Sequence, residues 1–168
     1  MRRFLSIIIV AVALVVAACT PLSEQVEVTG CEIDHLESVS LTPGQISLGT
    51  TLSLYGRNDS CRDISLKKLS AEVFSKSGKR VATVTYAAKK GEARPTLHRH
   101  SQETAEIPLL VCFDNPLSAI SLAAMTMDDY GEKGYVVSYD CTIMAGCLSK
   151  RFTADRVPIE DLAKQLDK

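Results

Sequence analysis

Hydrophobic and polar side chains alternate with a period of two along much of the chain. In the stretch QISLGTTLSLYG, which begins at Gln45, one set of alternate positions is apolar and the other is mostly small or polar. The apolar set is Ile46, Leu48, Leu52 and Leu54. Successive side chains of a β-strand point to opposite faces, so this pattern predicts a strand with one buried face.

The same period recurs on both sides of a short connection that contains glycine. The runs ISLKKLSAEVFS and RVATVTY flank residues 76–79, and this arrangement predicts a β-hairpin. A helix is the alternative for LKKLSAEVF, because its apolar spacing alone does not exclude one. The nearby turn and the β-prone residues Ile64, Val73 and Phe74 favour a strand.

Two later runs, TAEIPLLVCF and YVVSYDCTIM, also place alternate apolar residues on one face. Pro108 in the first run has no N–H to donate to a neighbouring strand, so we expect it at an edge or in an outward-facing position. Residues 117–127 lie between the two runs. Their apolar positions Leu117, Ile120, Ala124 and Met127 fit a helix nearly as well as a strand, so the sequence leaves that segment open.

The period changes near the C-terminus, where Ile159, Leu162 and Leu166 recur at helical spacing after Pro158. Proline is favoured in the first turn of a helix, so a short C-terminal helix is predicted to begin there. The strands and turns together predict an all-β fold. We expect an antiparallel β-sandwich of the fibronectin or immunoglobulin type, with about seven strands and this short helix.

The first residues of the chain have a different composition. Arg2 and Arg3 precede the uncharged run FLSIIIVAVALVVAA, and no acidic residue occurs before Glu24. The pattern is that of a signal peptide, since a membrane-spanning helix needs about 20 apolar residues. A single-pass anchor is the alternative, but the small residues Ala17 and Ala18 favour cleavage.

The residues Val16-Ala17-Ala18-Cys19 resemble the lipobox of bacterial lipoproteins. The resemblance implies a diacylglycerol on the thiol of Cys19, cleavage before this residue and acylation of the freed amine. Several acyl chains make such attachment effectively stable, because each buried methylene contributes about 0.8 kcal/mol. By the same analogy, Thr20 at the next position indicates the outer membrane, with the protein facing the periplasm.

These features divide the chain into three predicted parts. Residues 1–18 form a lipoprotein signal peptide, residues 19–25 a lipidated tether, and residues 26–168 a β-sandwich domain. Six residues of tether at full extension reach only about 20 Å, so the domain is expected to lie close to the bilayer.

Charge argues against a nucleic-acid partner. The full sequence carries a formal net charge of −1, and loss of Arg2 and Arg3 on cleavage makes the mature chain two charges more negative. Recognition of nucleic acid requires clustered Lys and Arg side chains that neutralise phosphates. The sequence shows no such cluster, and its adjacent basic residues form small pairs such as those at 67–68 and 89–90.

Five cysteines follow the lipidation site: Cys31, Cys61, Cys112, Cys141 and Cys147. An oxidising envelope permits disulfides, but an odd number of thiols cannot all pair within one chain. If residues 135–147 form one extended strand, Cys141 and Cys147 lie about 20 Å apart at about 3.3 Å per residue. A disulfide needs Cα atoms within about 7 Å, so only a sharp bend at Ala145-Gly146 would permit that pair. The pairing of the other cysteines stays open.

Four stretches resemble the group 2 late embryogenesis abundant domain, also called the WHy domain: ISLGTTLSLYGRND, LSAEVFSKSGKRVATVTY, HSQETAEIPLLV and KRFTADRVPIEDL. The resemblance covers about residues 36–166. Within it, Asn58 stands where the family has Asn-Pro, although the proline is missing, and Ile107-Pro108-Leu109 matches the family's Val-Pro before an apolar strand end. The likeness implies a fibronectin-type sandwich of about seven strands.

No pattern in the sequence indicates catalysis. There is no Gly-x-Ser-x-Gly nucleophile motif. His98 and His100 would share one face of a strand and, with His35 or a thiolate, would supply three metal ligands. Arg94 and Arg99 beside them disfavour a cation, so we expect no metal, no cofactor and no enzymatic activity.

The sequence therefore favours a non-catalytic, membrane-anchored envelope lipoprotein that acts as an interaction or scaffolding module, with stress tolerance as the setting that the resemblance suggests. A partner protein in the envelope is expected to meet a sheet edge or a loop end. The alternative is a carrier that holds a lipid or another small apolar ligand at the membrane surface, since the core is rich in aliphatic side chains.

Overall fold

The structure is a computed structural model, and it describes residues 25–88, 91–123, 132–159 and 161. The described part contains eight strands and one short helix, α1. Their bounds are β1 Val26–Thr42, β2 Gln45–Asn58, β3 Ile64–Phe74, β4 Arg80–Tyr86, β5 Thr96–Leu97, β6 Ser101–Phe113, α1 Pro116–Ala123, β7 Val136–Ala145 and β8 Leu148–Pro158. The predicted all-β class is confirmed.

All strand pairs are antiparallel and belong to one sheet. The order across the sheet is β1-β2-β6-β4-β3-β7-β8, and the two-residue strand β5 pairs with the beginning of β3. Strands β1 and β8 are therefore the two edges.

Strand β4 is a short link in the middle of this sheet. Strand β6 pairs with β2 along its whole length, but with β4 only over Leu109–Phe113. On its other side, β4 pairs with β3 only over Ser70–Phe74. Two larger groups of strands, β1-β2-β6 and β3-β7-β8, are thus joined by a short ladder, and the sheet curls there into a half-barrel.

One face of the curled sheet forms the hydrophobic core. Strand β6 shows the pattern most regularly, because every second residue from Ala105 to Phe113 is buried. Leu52 and Leu54 of β2 lie on the same face, whereas Thr51 and Ser53 are also buried although they lie on the opposite face. The predicted alternation in β2 is confirmed for the apolar set, and the polar set in mid-strand is more buried than the pattern indicates.

The predicted hairpin between β3 and β4 is confirmed, and so is the preference for a strand over a helix at residues 66–74. The backbone N–H of Ser75 donates to the carbonyl of Lys79 at 2.9 Å. Gly78 closes the turn with a φ of 78°, a conformation that costs glycine little because it has no Cβ.

Pro108 lies in β6, which is a central strand and not an edge. The last β4–β6 pair is Tyr86–Leu109, so β4 ends beside Pro108. The carbonyl of Pro108 still accepts a hydrogen bond from the N–H of Ala87 at 2.8 Å. The side chain lies on the face opposite to buried Ile107 and Leu109, so the expected outward-facing position is confirmed.

Helix α1 settles part of the segment that the sequence leaves open. The helix packs with Ala119 and Leu122 buried, while Leu117 and Ile120 remain exposed. The choice that the sequence leaves open is therefore decided in favour of a helix over residues 117–123. Residues 124–131 lie outside the described part, and no helix within the described part is long and apolar enough to cross a membrane.

The predicted C-terminal helix is not seen as an element of the described part, in which Ile159 and Asp161 are the helical positions after β8. Pro158 itself is not in a helix. It is the last residue of β8 and pairs with Val136 of β7. Proline is tolerated there because β8 is an edge strand and can do without one N–H. The next residue, Ile159, is buried, and its N–H donates to the carbonyl of Tyr135 at 3.4 Å. The remainder of the predicted C-terminal helix, residues 162–168, lies outside the described residues.

Asn58 fixes the loop between β2 and β3 from a fully buried position. Its side-chain amide donates to the carbonyl of Arg62 at 2.9 Å and to the carbonyl of Leu97 at 3.0 Å. Its side-chain oxygen accepts from the N–H of Ser60 at 3.1 Å and from the hydroxyl of Ser60 at 2.6 Å. The side chain therefore joins this loop to β5 with all its polar groups satisfied.

Replacing Asn58 with leucine is expected to lower the free energy of unfolding by about 3 kcal/mol, because the buried carbonyl of Leu97 and the part-buried carbonyl of Arg62 lose this donor. Denaturant unfolding measures this change. Asp59→Asn is the control, since Asp59 makes only an exposed ion pair with Arg57 and such pairs contribute little. Equal destabilisation by the two substitutions would contradict the assigned role of Asn58.

Candidate binding surface

Strand β1 carries an apolar face whose spacing is irregular in sequence. Seven apolar residues or cysteines follow one another at intervals of two or three: Val26, Val28, Cys31, Ile33, Leu36, Val39 and Leu41. In the register with β2, each of them pairs with an even-numbered residue between Ile46 and Asn58. Cross-strand partners share a face, so all seven lie on the core face of the sheet.

Three register irregularities make this possible. They fall between Val28 and Gly30, between Ile33 and His35, and between Leu36 and Ser38. Each inserts one extra residue into β1, as a β-bulge does. Without these insertions, an interval of three would move the next apolar residue to the opposite face.

Burial along this face decreases from the beginning of β1 to its end. Val26 is buried, and Val28 and Ile33 are half-buried against the core. Leu36, Val39 and Leu41 are 56%, 55% and 73% exposed. We call these last three residues the apolar shelf.

The shelf lies directly beside the hydrophobic core on the same face of the sheet. Val39 pairs with Leu48 and Leu41 pairs with Ile46, and both β2 residues are half-buried and pack against the core. Single exposed apolar side chains are common on protein surfaces. A row of three beside the core is less usual and is typical of an interaction site.

Helix α1 adds two more exposed apolar side chains at the same end of the sheet. Ile46 pairs with Leu41 on one side and with Phe113 on the other, and α1 begins three residues after Phe113. On this helix Leu117 is 78% and Ile120 is 67% exposed.

The opposite face of β1 is acidic. Glu27, Glu32 and Glu37 are exposed, and β1 contains no Lys or Arg. Tyr55 donates its hydroxyl hydrogen to Glu32 at 3.3 Å, and Thr51 donates to Glu37. The strand that carries the shelf therefore presents an apolar face and a negatively charged one.

A polar groove of about 590 Å³ lies on the outer face of β2 and β6, beside the loop that follows β4. Its lining includes Glu37, Glu92, Glu106 and Arg94. Burial raises the pKa of the Tyr86 hydroxyl at its margin, while the charge of Arg94 lowers it. Among the described side chains, no group of three or more His, Cys, Asp or Glu residues is arranged to hold a metal ion.

The histidine pair does not adopt the predicted strand geometry. Strand β5 ends at Leu97, and His98 and His100 lie in the turn before β6, where His100 has a φ of 52°. The prediction that they share one strand face is wrong, because this left-handed conformation breaks the strand. The Nδ1 atom of His98 lies 3.0 Å from a carboxylate oxygen of Glu103. The side chain of His35 is outside the described part.

The distance between Cys141 and Cys147 is predicted on the premise that both lie in one extended strand, and this premise does not hold. Residues 135–147 are not one strand, because β7 ends at Ala145 and the chain reverses at Gly146 and Cys147. Cys141 is buried and pairs in register with Phe152. None of the five cysteines in the described part is joined in a disulfide. The predicted lipidation site, Cys19, lies outside the described residues.

Comparison with known proteins adds no family. No protein-family model and no curated protein matches the chain. Among solved structures, the chain is similar to a protein from Archaeoglobus fulgidus, with 13% identity, coverage of 78% of this chain and 100% of that one, and a TM-score of 0.38.

Two further solved structures show weaker likeness. The Northeast Structural Genomics Consortium target SoR45 is 14% identical in sequence, with a TM-score of 0.36, and the match covers 82% of this chain and 86% of that one. A β-glucuronidase of glycoside hydrolase family 2 is 10% identical in sequence, with a TM-score of 0.31, and the match covers 76% of this chain and 11% of that one. Because all three TM-scores are below 0.5, these likenesses support no conclusion about the function of this chain.

The sequence patterns miss the shelf. A search for periods of 2 or 3.6 does not detect a strand whose apolar residues are two and three apart. The signal that was present is the steady recurrence of one apolar residue every two or three positions from Val26 to Leu41.

The ion pair between His98 and Glu103 yields a pH prediction. Hydrogen bonding to Glu103 and its charge raise the pKa of His98 above the ordinary value of 6.5. The hydrogen bond from the backbone N–H of His98 and the ring interaction lower the pKa of Glu103. The stabilisation from His98 is complete below the ordinary histidine pKa and is lost as pH rises through the folded pKa. That from Glu103 is present above the ordinary glutamate pKa and is lost as pH falls through its lowered folded value.

NMR titration of the His98 ring is expected to give a midpoint above 6.5. Glu103→Gln is expected to move this midpoint down towards the ordinary value, because the carboxylate is lost. Glu106→Gln, on the same strand, is the matched control and is expected to leave it nearly unchanged. An unchanged midpoint in Glu103→Gln would show that the pair does not exist in solution.

Proposed function

We propose that the protein is a non-catalytic lipoprotein of the bacterial outer membrane that is attached through Cys19, faces the periplasm and binds another envelope protein at the apolar shelf. The observation that carries the binding part is the exposure of Leu36, Val39 and Leu41 on the core face of β1. The lipobox resemblance of Val16-Ala17-Ala18-Cys19 supports the attachment.

The position of the shelf along β1 favours a protein partner over the bilayer. The strand begins at Val26, seven residues after Cys19, and Val39 lies thirteen residues further on. At about 3.3 Å per residue the two ends are roughly 40 Å apart. In this proposal the tether therefore enters the strand at the end opposite to the shelf.

The charge of β1 indicates the chemistry of the partner. The acidic side chains Glu27, Glu32 and Glu37 complement Lys or Arg residues, whereas two copies of β1 side by side would repel each other. We therefore propose an amphipathic segment whose apolar side covers the shelf and whose basic residues reach around the β1 edge to Glu37, the carboxylate next to Leu36.

The three bulges of β1 argue against addition of a partner strand to its edge, because bulges interrupt the regular ladder that such pairing requires. The partner is proposed to pack against the face of the shelf. This mode leaves the β1 edge unpaired.

We also propose that the half-barrel is a joined form of the two-sheet sandwich of the fibronectin or immunoglobulin type and that the chain is related to WHy domains. The strand order supports this proposal. Strands β1, β2, β6 and β4 correspond in order to one sheet of an immunoglobulin constant-type sandwich, and β3, β7 and β8 correspond to the other. The retained Asn58 and its buried hydrogen bonds are consistent with the family resemblance.

Val39→Glu is expected to reduce recovery of the partner at least tenfold, because it places a charge in the apolar contact. The measurement is quantitative mass spectrometry of proteins that co-purify with the lipidated protein from its own membrane after chemical cross-linking. Stability is expected to change by no more than about 0.5 kcal/mol, because the position is exposed.

Ser40→Glu is the matched control, since Ser40 lies on the opposite face of the same strand. Support requires a partner that is lost in Val39→Glu, kept in Ser40→Glu, weakened by salt and cross-linked through a segment with basic residues. A defined lipid retained equally by a form without Cys19, and lost in Val39→Glu, would instead establish the carrier function. Equal recovery of all proteins and lipids in both variants would contradict binding at the shelf.

Cys19→Ser is expected to abolish incorporation of an alkyne-labelled fatty acid into the protein, because the acylated thiol is removed. Cys31→Ser provides the control and is expected to retain full labelling. The readout is in-gel fluorescence after coupling of the alkyne to a dye. Labelling that persists in Cys19→Ser would rule out the lipobox assignment.

A further inference from the structure

Cys61 and Cys147 lie on two neighbouring connections at the end of the sheet opposite to α1. Cys61 is in the loop between β2 and β3, and Cys147 is in the turn between β7 and β8. Both side chains are exposed.

The backbone brings these two connections into contact. The last register pair of β3 and β7 is Ile64–Ala145. One step further, the N–H of Gly146 donates to the carbonyl of Asp63 at 3.1 Å. A Cβ atom placed on Gly146 would lie 3.9 Å from the Cδ atom of Arg62.

Cys147 follows Gly146 directly, and Cys61 lies two residues before Asp63, so the two cysteines are offset by one residue from direct pairing. Cα atoms of paired antiparallel residues are about 4.5–5.5 Å apart, and one residue along a strand adds a displacement of about 3.3 Å at right angles. The Cα atoms of Cys61 and Cys147 are therefore roughly 6 Å apart, and a disulfide is compatible with separations of about 4.4–6.8 Å.

Both connections are also held in place without the bridge. The carbonyl of Arg62, next to Cys61, accepts hydrogen bonds from Asn58 at 2.9 Å and from Ser60 at 3.0 Å. Gly146 has a φ of 62° in a two-residue turn between Ala145 and Leu148, which is the glycine-first order of a type II′ hairpin turn.

The other cysteines are placed differently. Cys141 is in the core of β7, and its register partners are Leu69 and Phe152. The sulfur of Cys112 lies 3.4 Å from the hydroxyl oxygen of Ser47, and Cys31 pairs in register with Leu54. None of the three has a cysteine as a register partner.

We propose that Cys61 and Cys147 form an intramolecular disulfide by exchange with a disulfide oxidant, either a small-molecule disulfide or the disulfide of an oxidoreductase. One cysteine thiolate attacks a sulfur of the oxidant, so the oxidant's S–S bond breaks and one thiolate leaves. The second cysteine thiolate then attacks the mixed disulfide and releases the other thiolate. Two cysteine thiols are oxidised and one oxidant disulfide is reduced to two thiols, which take up the two protons.

The bridge would join the β2–β3 loop to the β7–β8 turn at the end of the half-barrel that the ladder of β4 does not reach. At that end, among the described residues, the two-residue strand β5 pairs with β3. A bridge between Cys61 and Cys147 spans most of the domain in sequence, and the stabilising effect of a disulfide increases with the length of the chain that it closes.

The test uses the purified protein in detergent, first reduced and then treated with oxidised glutathione. After alkylation of the remaining thiols, non-reducing peptide mass spectrometry is expected to show one peptide that joins Cys61 to Cys147. The midpoint of thermal unfolding is expected to rise by about 5–10 °C relative to the reduced protein.

Cys61→Ser and Cys147→Ser are each expected to abolish both the joined peptide and the rise, whereas Cys112→Ser is the control and keeps both. Because both target residues are exposed, the serine variants are expected to unfold at the same temperature as the reduced native chain. Glutathione adducts on Cys61 and Cys147 without a joined peptide would overturn the proposal. A bridge between any other pair, or an equal rise in Cys61→Ser, would overturn it too. The test does not depend on the partner or on the location of the protein.

Discussion

The structure depends on the need to bury one apolar face of a single curled sheet. The two groups of strands, β1-β2-β6 and β3-β7-β8, are joined through the short strand β4, so the sheet bends there and its apolar face closes on itself. Fully burying a Leu or Val side chain contributes about 1.5–3 kcal/mol relative to exposure. Strand β1 extends beyond the part of the sheet where this face is buried, and its last apolar residues, Leu36, Val39 and Leu41, remain exposed.

The exposed end of β1 remains paired with β2 and keeps the same orientation of its side chains. The three bulges keep every apolar residue of β1 on the core face, and this arrangement persists beyond the point at which the core covers them. The acidic residues on the opposite face give the strand a charge that opposes self-association. An apolar face next to a charged face, at the C-terminal end of the strand, is the basis of the proposed docking function.

Much of the fold follows from the sequence wherever the period of two is unbroken. Strand β6 is predicted correctly because its buried residues alternate from Ala105 to Phe113, and the β3–β4 hairpin because β-prone runs flank a turn that a glycine marks. Strand β1 is not predicted, because bulges change its spacing, and β8 extends as far as Pro158 because an edge strand tolerates proline. The buried face of α1 was set by packing against the sheet, which local spacing does not reveal. The His98 and His100 pair shows the same limit, since the turn depends on the contact between His98 and Glu103.

The central claim is that the apolar shelf is covered by a partner in the envelope, and labelling of Val39→Cys measures this directly. Maleimide modification at position 39, quantified by peptide mass spectrometry, is compared between intact envelopes and the purified protein, with Ser40→Cys as the reference position. The account predicts that position 39 is at least fivefold less reactive in the envelope than after purification, whereas position 40 reacts similarly in both. Equal reactivity of position 39 in the two preparations would contradict the account.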